Sequence, residues 1–363
     1  MKIELLFKKL FYSIFRLLFR NENIEIPISY NNIKSILILS YDAIGDMIVT
    51  LPVIKLINEL IPNSNIDVIA SSRNISIIEN ESRIRDKILQ PKGFFKSLFQ
   101  AKKLKRNNYD LVLSLVLNDT TKAGLISNLA SSKSAYKCVI AHDTRKDIYS
   151  ALFNIQVELQ EYRNRITMLE LQCKFVSRIF GIVNYEDMIV NRMTISDDDE
   201  KFIESITSDL KPFIVFNISS GNDYRTFTTK KNIEILNDIL DNISEYNFII
   251  ISAPNENSKA VEIKESLNSE RVYVIGTMNL NQVSALINQS TLVFTPDTSI
   301  VHIASATNTP VFLIYSLLSS HVTEWLPYKS KYSYVRTNSK EPIQNIETKE
   351  VVSGFLNFAK EVI

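Results

Sequence analysis

Glycine is scarce in this chain, with 7 residues in 363, and none are arranged as GxGxxG or GxxxxGK. The dinucleotide fingerprint and the P-loop are both absent, so any phosphate must be held some other way. Cysteine is scarcer still: Cys138 and Cys173 lie far apart with no CxxC spacing. That excludes a disulfide framework and a thiolate zinc site, and makes a reducing cytosol the default. The three histidines, His142, His302 and His321, form no HExxH or HxH pair, which argues against a histidine metal site and leaves only carboxylate-bound Mg²⁺ open. Neither sign of charge is in excess: 41 Lys+Arg stand against 40 Asp+Glu, so nothing global favours a nucleic-acid partner. No run approaches the roughly 20 uninterrupted apolar residues of a membrane-spanning helix.

What is present is an ordinary globular composition, 45% hydrophobic and 22% charged, in a chain long enough for two domains. The first 20 residues differ from the rest. Ile3, Leu6, Phe7, Leu10, Ile14, Leu17 and Leu18 recur at helical spacing, with Lys2, Lys9, Arg16 and Arg20 spaced to share the other side. Such a helix either lies in the interface of an anionic membrane or packs its stripe on the protein's own surface. Basic residues interrupt the stripe and no small-residue cleavage site follows, which argues against a signal peptide.

Beyond it, strands and helices alternate. Strands are expected at 35–40, 66–70, 111–117 and 136–140, with helices at 47–60, 96–106 (basic and amphipathic), 122–130 and 162–180, the last closed by Gly181. A polar, acidic stretch then reads as a crossing between domains, with Ser196 capping a helix whose first turn is Asp197, Asp198, Asp199 and Glu200. In the second half, strands at 213–218, 248–252, 272–275, 292–294 and 311–315 alternate with helices near 231–240, 258–267 and 282–288, and a last helix near 350–363 has no evident place to pack. The alternation implies parallel βαβ units buried on both faces, hence an α/β protein of two Rossmann-like domains facing a central cleft. The boundaries expected are 1–25 for the basic helix, 26–185 for an N-terminal domain, 186–345 for a C-terminal domain and 346–363 for the last helix.

Several strand-to-helix turns carry polar groups. Gly45-Asp46 follows the first strand; Asp46 either caps the next helix or, at the C-terminal edge of a parallel sheet, serves as a general base. Asp297-Thr298-Ser299, with His302 one turn on, opens a helix whose free N–H groups and dipole suit a phosphate. Ser219, Ser220 and Arg225 follow another strand and either grip a diphosphate or form a plain surface loop. Glu256 follows the next strand, placed for ribose hydroxyls or simply solvated.

Taken in order, SYDAIGDMIVTLPVIKLINELIPNSNID (40–67), NYDLVLSL (108–115) and PDTSIVHIASATNTPVFLIYS (296–316) resemble the bacterial heptosyltransferases of glycosyltransferase family 9. The resemblance covers roughly residues 33–328. It implies a GT-B fold and an inverting, metal-independent transfer of a sugar, heptose above all, from a nucleotide-diphosphate sugar such as ADP-heptose to a lipid-linked glycan of the lipopolysaccharide type. No cofactor is expected. The protein would be cytoplasmic and peripheral at the inner face of the inner membrane through residues 1–20. It implies Asp46 as catalytic base; Ser219, Ser220 and Arg225 as the diphosphate loop; Glu256 on the ribose; Met278 at the adenine; and Asp297, Thr298, Ser299 and His302 on sugar and phosphate, with His302 and Arg225 offsetting the leaving charge. The chain departs from the family at Ser299, where Gly is usual; at Arg225, in the place of a Lys, followed by Thr226-Phe227 where a Trp is usual; and at Tyr315-Ser316-Leu317. A GT-B epimerase or hydrolase of a UDP-sugar, and a non-catalytic membrane-associated nucleotide-binding protein, share much of this pattern.

Overall fold

The computed structural model describes residues 2–118, 120–319 and 321–363, with side chains from residue 11 onward. The chain divides into two compact units, Met1–Val190 and Asn191–Ile363. In the first, α1 (Lys2–Phe19) precedes β1 (Ser35–Leu39), α2 (Ile44–Leu60), β2 (Asn65–Ala70), β3 (Ile84–Leu89) and α3 (Phe94–Leu104). There follow β4 (Tyr109–Ser114), α4 (Thr120–Ala130), β5 (Ser131–Ile140), α5 (Lys146–Leu152), β6 (Ile155–Val157) and α6 (Met168–Phe180). The second unit runs α7 (Asp197–Thr207), β7 (Phe213–Asn217), α8 (Thr229–Asn242), β8 (Asn247–Ile251), α9 (Asn257–Leu267), β9 (Val272–Tyr273) and α10 (Leu280–Gln289). It ends with β10 (Leu292–Pro296), α11 (Ser299–Thr307), β11 (Val311–Tyr315), β12 (Tyr332–Arg336) and α12 (Thr348–Val362).

Each unit holds one six-stranded sheet, ordered β3-β2-β1-β4-β5-β6 and β9-β8-β7-β10-β11-β12. All pairings are parallel, with Ile38 opposite both Val68 and Leu113, and Phe294 opposite both Phe216 and Phe312. Both sheets follow the doubly wound order, which reverses direction at its centre, between β1 and β4 in one unit and between β7 and β10 in the other. In such sheets ligands bind beyond the C-terminal strand ends at that reversal. The central strands SILIL, FIVFN and VFLIY are buried along their whole length, as strands covered by helices on both faces must be.

The edge strands β3 and β6, and β12, go beyond the elements expected above. IRDKIL has one buried position and three exposed ones, YSYVR alternates half-buried with exposed positions, and β6 has only three residues. Half-solvated strands lose the continuous apolar run that marks a central one. The helix expected from residue 162 starts at Met168, because Thr167 caps it reciprocally with Glu170; residues 160–162 form a separate 3₁₀ turn.

The last helix packs on the second sheet. Phe216 and Phe294 stack with centroids 4.4 Å apart, and Phe355 of α12 meets Phe294 and Phe312 edge-on. Gly354 makes this approach possible: a Cβ there would stand 2.8 Å from Val335 Cγ2 and 3.1 Å from the Phe312 ring. At the other terminus, Tyr12, Phe15 and Phe19 of α1 pack on Leu125, Val139, Tyr149 and Phe153, while Arg16 donates to Ser150. Phe11, Ile14, Leu17 and Leu18 remain exposed. The apolar stripe is thus split between the protein and solvent; its members at residues 3, 6, 7 and 10, with the lysines at 2 and 9, lie outside the described side chains.

Candidate active site

Asp46 lies in the first turn of α2, at the C-terminal end of β1 and beside the β1/β4 reversal. Gly45 shares that turn and is not among the glycines with positive φ, so a tight left-handed turn is not what places it there. The turn is held by Asn74, whose amide donates to the Ser40 and Ala43 carbonyls and whose oxygen accepts from the Ser71 N–H. Asp42 braces the far side of the reversal by accepting the Leu117 N–H at 2.7 Å. One Asp46 oxygen, Oδ2, accepts from the Ala43 N–H at 2.8 Å, so the residue does contribute to the helix start. It is also 7% exposed, and burial raises its carboxyl to about 6 despite the Ala43 N–H; the Asp42 charge adds to the rise. Beneath it Thr50 donates to the Asp46 carbonyl and lies 3.0 Å from the Ser40 hydroxyl.

In the second unit, the residues after β7 and after β10 flank the reversal and meet there. The Arg225 guanidinium pairs with the Asp297 carboxylate at 3.1 Å and donates to the Asp297 carbonyl at 3.3 Å; the Tyr224 hydroxyl accepts from its other nitrogens. Ser319 donates to the same carboxylate. Burial raises the Asp297 proton affinity, and Arg225 and Ser319 oppose that. Thr298, rather than Asp297, caps α11, accepting the Ile300 N–H at 3.2 Å, and Ser299 takes the first helical position. Asn217, the last residue of β7, ties the two turns together: its amide donates to Thr295 Oγ1 and to the Ser219 carbonyl, and its oxygen accepts from the Ser219 N–H. The Ser219 hydroxyl accepts from the Ala253 N–H at 2.8 Å and bonds the Glu256 carboxylate. Burial alone would raise Glu256, but bonds from Lys259, 2.5 Å away, and Ser219 hold it below its usual range.

The model of glycosyltransferase family 9 (heptosyltransferase) matches residues 98–352, more than two thirds of the chain. The chain belongs to that family. Over 288 residues it is 23% identical to the lipopolysaccharide core heptosyltransferase OpsX of Haemophilus influenzae, covering 78% of this chain and 79% of that one. Its fold is that of the family 9 glycosyl transferase from Veillonella parvula, with TM-score 0.76, 15% identity and 93% and 99% of the two chains covered. It is also that of the ADP-heptose lps heptosyltransferase II of E. coli, with TM-score 0.70, 16% identity, and 90% and 99% covered. The protein is therefore a glycosyltransferase of the two-domain α/β, GT-B class.

The expected donor-side residues of this glycosyltransferase differ in how far they converge. Ser219, Glu256, Arg225, Asp297 and Thr298 form connected contacts, whereas Ser220 bonds within its own loop, to the Asn222 carbonyl and Thr226. Met278 is half-buried between β9 and α10, beyond the edge strand. His302 is buried against Trp325, ring centroids 5.5 Å apart, and burial lowers its imidazole to about 4. With the ring neutral, His302 can donate or accept a hydrogen bond at this turn, while Arg225 carries the positive charge. Asn74, Asn217, Lys259 and Ser319 were not singled out from the sequence; an Asn ending the apolar run FIVFN was the one visible signal. The matched span begins at residue 98, so the Asp46 turn stands outside it. Among the described residues no three His, Cys, Asp or Glu side chains gather as a metal site, and no helix is long and apolar enough to cross a membrane.

Proposed function

We propose that this glycosyltransferase moves a heptose from ADP-heptose to a lipid-linked glycan of the lipopolysaccharide or lipooligosaccharide core, inverting the anomeric centre without a metal ion. Family membership and the names of its relatives support the donor and acceptor classes. The observation that carries the chemistry is Asp46: a buried carboxylate at a sheet reversal, with proton affinity raised toward neutrality, is what a general base requires. In the step proposed, the acceptor oxygen bonds the anomeric carbon as its proton passes to Asp46. The bond from that carbon to the diphosphate oxygen breaks, and its electron pair leaves on ADP.

Arg225, Ser219, Ser220 and the first turn of α11 receive the diphosphate, the guanidinium by paired hydrogen bonds and the helix by its dipole. Glu256, kept ionised by Lys259, accepts the ribose hydroxyls. Met278 borders the adenine, and Asp297, Thr298, Ser299 and neutral His302 bind sugar and phosphate through hydrogen bonds. The protein works at the cytoplasmic face of the inner membrane, held by residues 1–20, whose exposed Phe11, Ile14, Leu17 and Leu18 suit an interfacial helix.

Nucleotide release from ADP-, UDP-, GDP- and CMP-sugars tests this reading. Release of ADP from ADP-heptose only when a lipid-linked core acceptor is present is expected. Turnover of a UDP-sugar without acceptor, or no turnover with any donor, would overturn it.

A further inference from the structure

The basic amphipathic helix α3 has no part in the transfer chemistry, yet it leaves unusual groups in water. Phe94, Phe95 and Phe99 are 46%, 82% and 63% exposed, while Ser97 and Ala101 are buried. Leu98 packs on the same cluster that receives Tyr12, Phe15 and Phe19 of α1, so both helices are seated on one side of their unit. Lys92, Lys96, Lys102, Lys103, Lys105 and Arg106 lie along the turn before α3, the helix and the residues just after it, all exposed, and no Asp or Glu occurs between Lys87 and Tyr109. Lys103 Nζ stands 4.6 Å over the Phe99 ring, a cation–π contact that keeps a positive charge against the exposed aromatic face. Pro91, Phe95, Lys96, Phe99, Gln100 and Lys103 line a shallow groove of about 530 Å³. Because β3 and β1 run parallel in one sheet, the turn into α3 leaves the same sheet edge as the turn carrying Asp46.

We propose that α3 and the turn before it dock this protein on an anionic phospholipid bilayer, with the Phe95 and Phe99 rings in the interface and the lysines on headgroup phosphates. Charge complementarity selects that occupant: a row of cations without one carboxylate repels a second copy of itself and attracts an anionic surface. The docking extends the membrane association proposed for residues 1–20 and is separable from it. It would bring the Asp46 edge of the sheet to the lipid.

Co-sedimentation of the full chain with phosphatidylcholine vesicles, with and without phosphatidylglycerol, tests it. Phe95→Ser/Phe99→Ser and Lys96→Glu/Lys103→Glu should each lower binding to anionic vesicles by about tenfold or more, since a lysine near such a surface contributes about fivefold. Their thermal unfolding should match wild type, because the side chains changed are exposed. Wild-type binding by both double variants would overturn the proposal, as would equal binding to neutral vesicles or no binding by the wild type. Loss only on removing residues 1–20, with the α3 variants unaffected, would overturn it and leave the first helix as sole anchor. Binding that depends on α3 in a protein that turns over no nucleotide-sugar would uphold the docking and count against the proposed function.

Discussion

Replacing Asp46 by Asn removes a proton site but leaves an oxygen able to accept the Ala43 N–H, so it separates base from cap. The wild-type carboxyl rises from an ordinary 3.8 to about 6 on folding, chiefly by burial. The native state therefore binds this proton more tightly than the unfolded chain, and ionising Asp46 costs stability. That cost is absent below about pH 4, grows as pH rises, and is complete above about pH 6; the rise in proton affinity corresponds to about 3 kcal/mol. Asn carries no such cost at any pH. Asp46→Asn should then unfold with wild type near pH 4 but roughly 5–10 °C later at pH 8, for a unit of this size. Thermal unfolding of both proteins across that range is the measurement. Equal unfolding of the two proteins at every pH would refute the reasoning and leave Asp46 only the capping role that Asn can also fill. The same variant should lose about 10²–10⁴-fold in sugar transfer, and wild-type kcat/KM should climb with pH through about 6.

Arg225→Ala should weaken binding of a nucleoside diphosphate by roughly ten- to a hundredfold in calorimetry, as expected for loss of a charge-assisted pair; unchanged affinity would put the phosphate elsewhere. Gly354→Ala should cost about 1–3 kcal/mol, because its methyl would press on Val335 and Phe312 where α12 lies closest to the sheet. An unaltered melting temperature would show that the helix can shift without loss.

The central strands were legible because burial on both faces writes them as unbroken apolar runs, as in SILIL and VFLIY. The rim was not: IRDKIL and YSYVR mix charge and polarity because solvent reaches one side, and the three residues of β6 are too few to show any period. At the site, Asp46, Asp297 and Arg225 could be read because strand-to-helix turns are where such sheets expose polar groups. Asn74 and Asn217 could not, since their bonds to the Ser40 carbonyl and to Thr295 Oγ1 depend on neighbours brought close only by folding. The charge state of His302 was equally hidden, being set by burial rather than by nearby residues in the chain.

Trp325 is the single tryptophan of the chain, and its indole stands edge-on to His302 at 5.5 Å. All intrinsic tryptophan emission thus arises beside the turn after β10. With the neighbouring imidazole neutral down to about pH 4, protonation does not switch its quenching on or off across the physiological range. The molecule consequently contains its own unlabelled optical gauge, fixed next to His302, whose imidazole stays neutral over the interval in which Asp46 titrates.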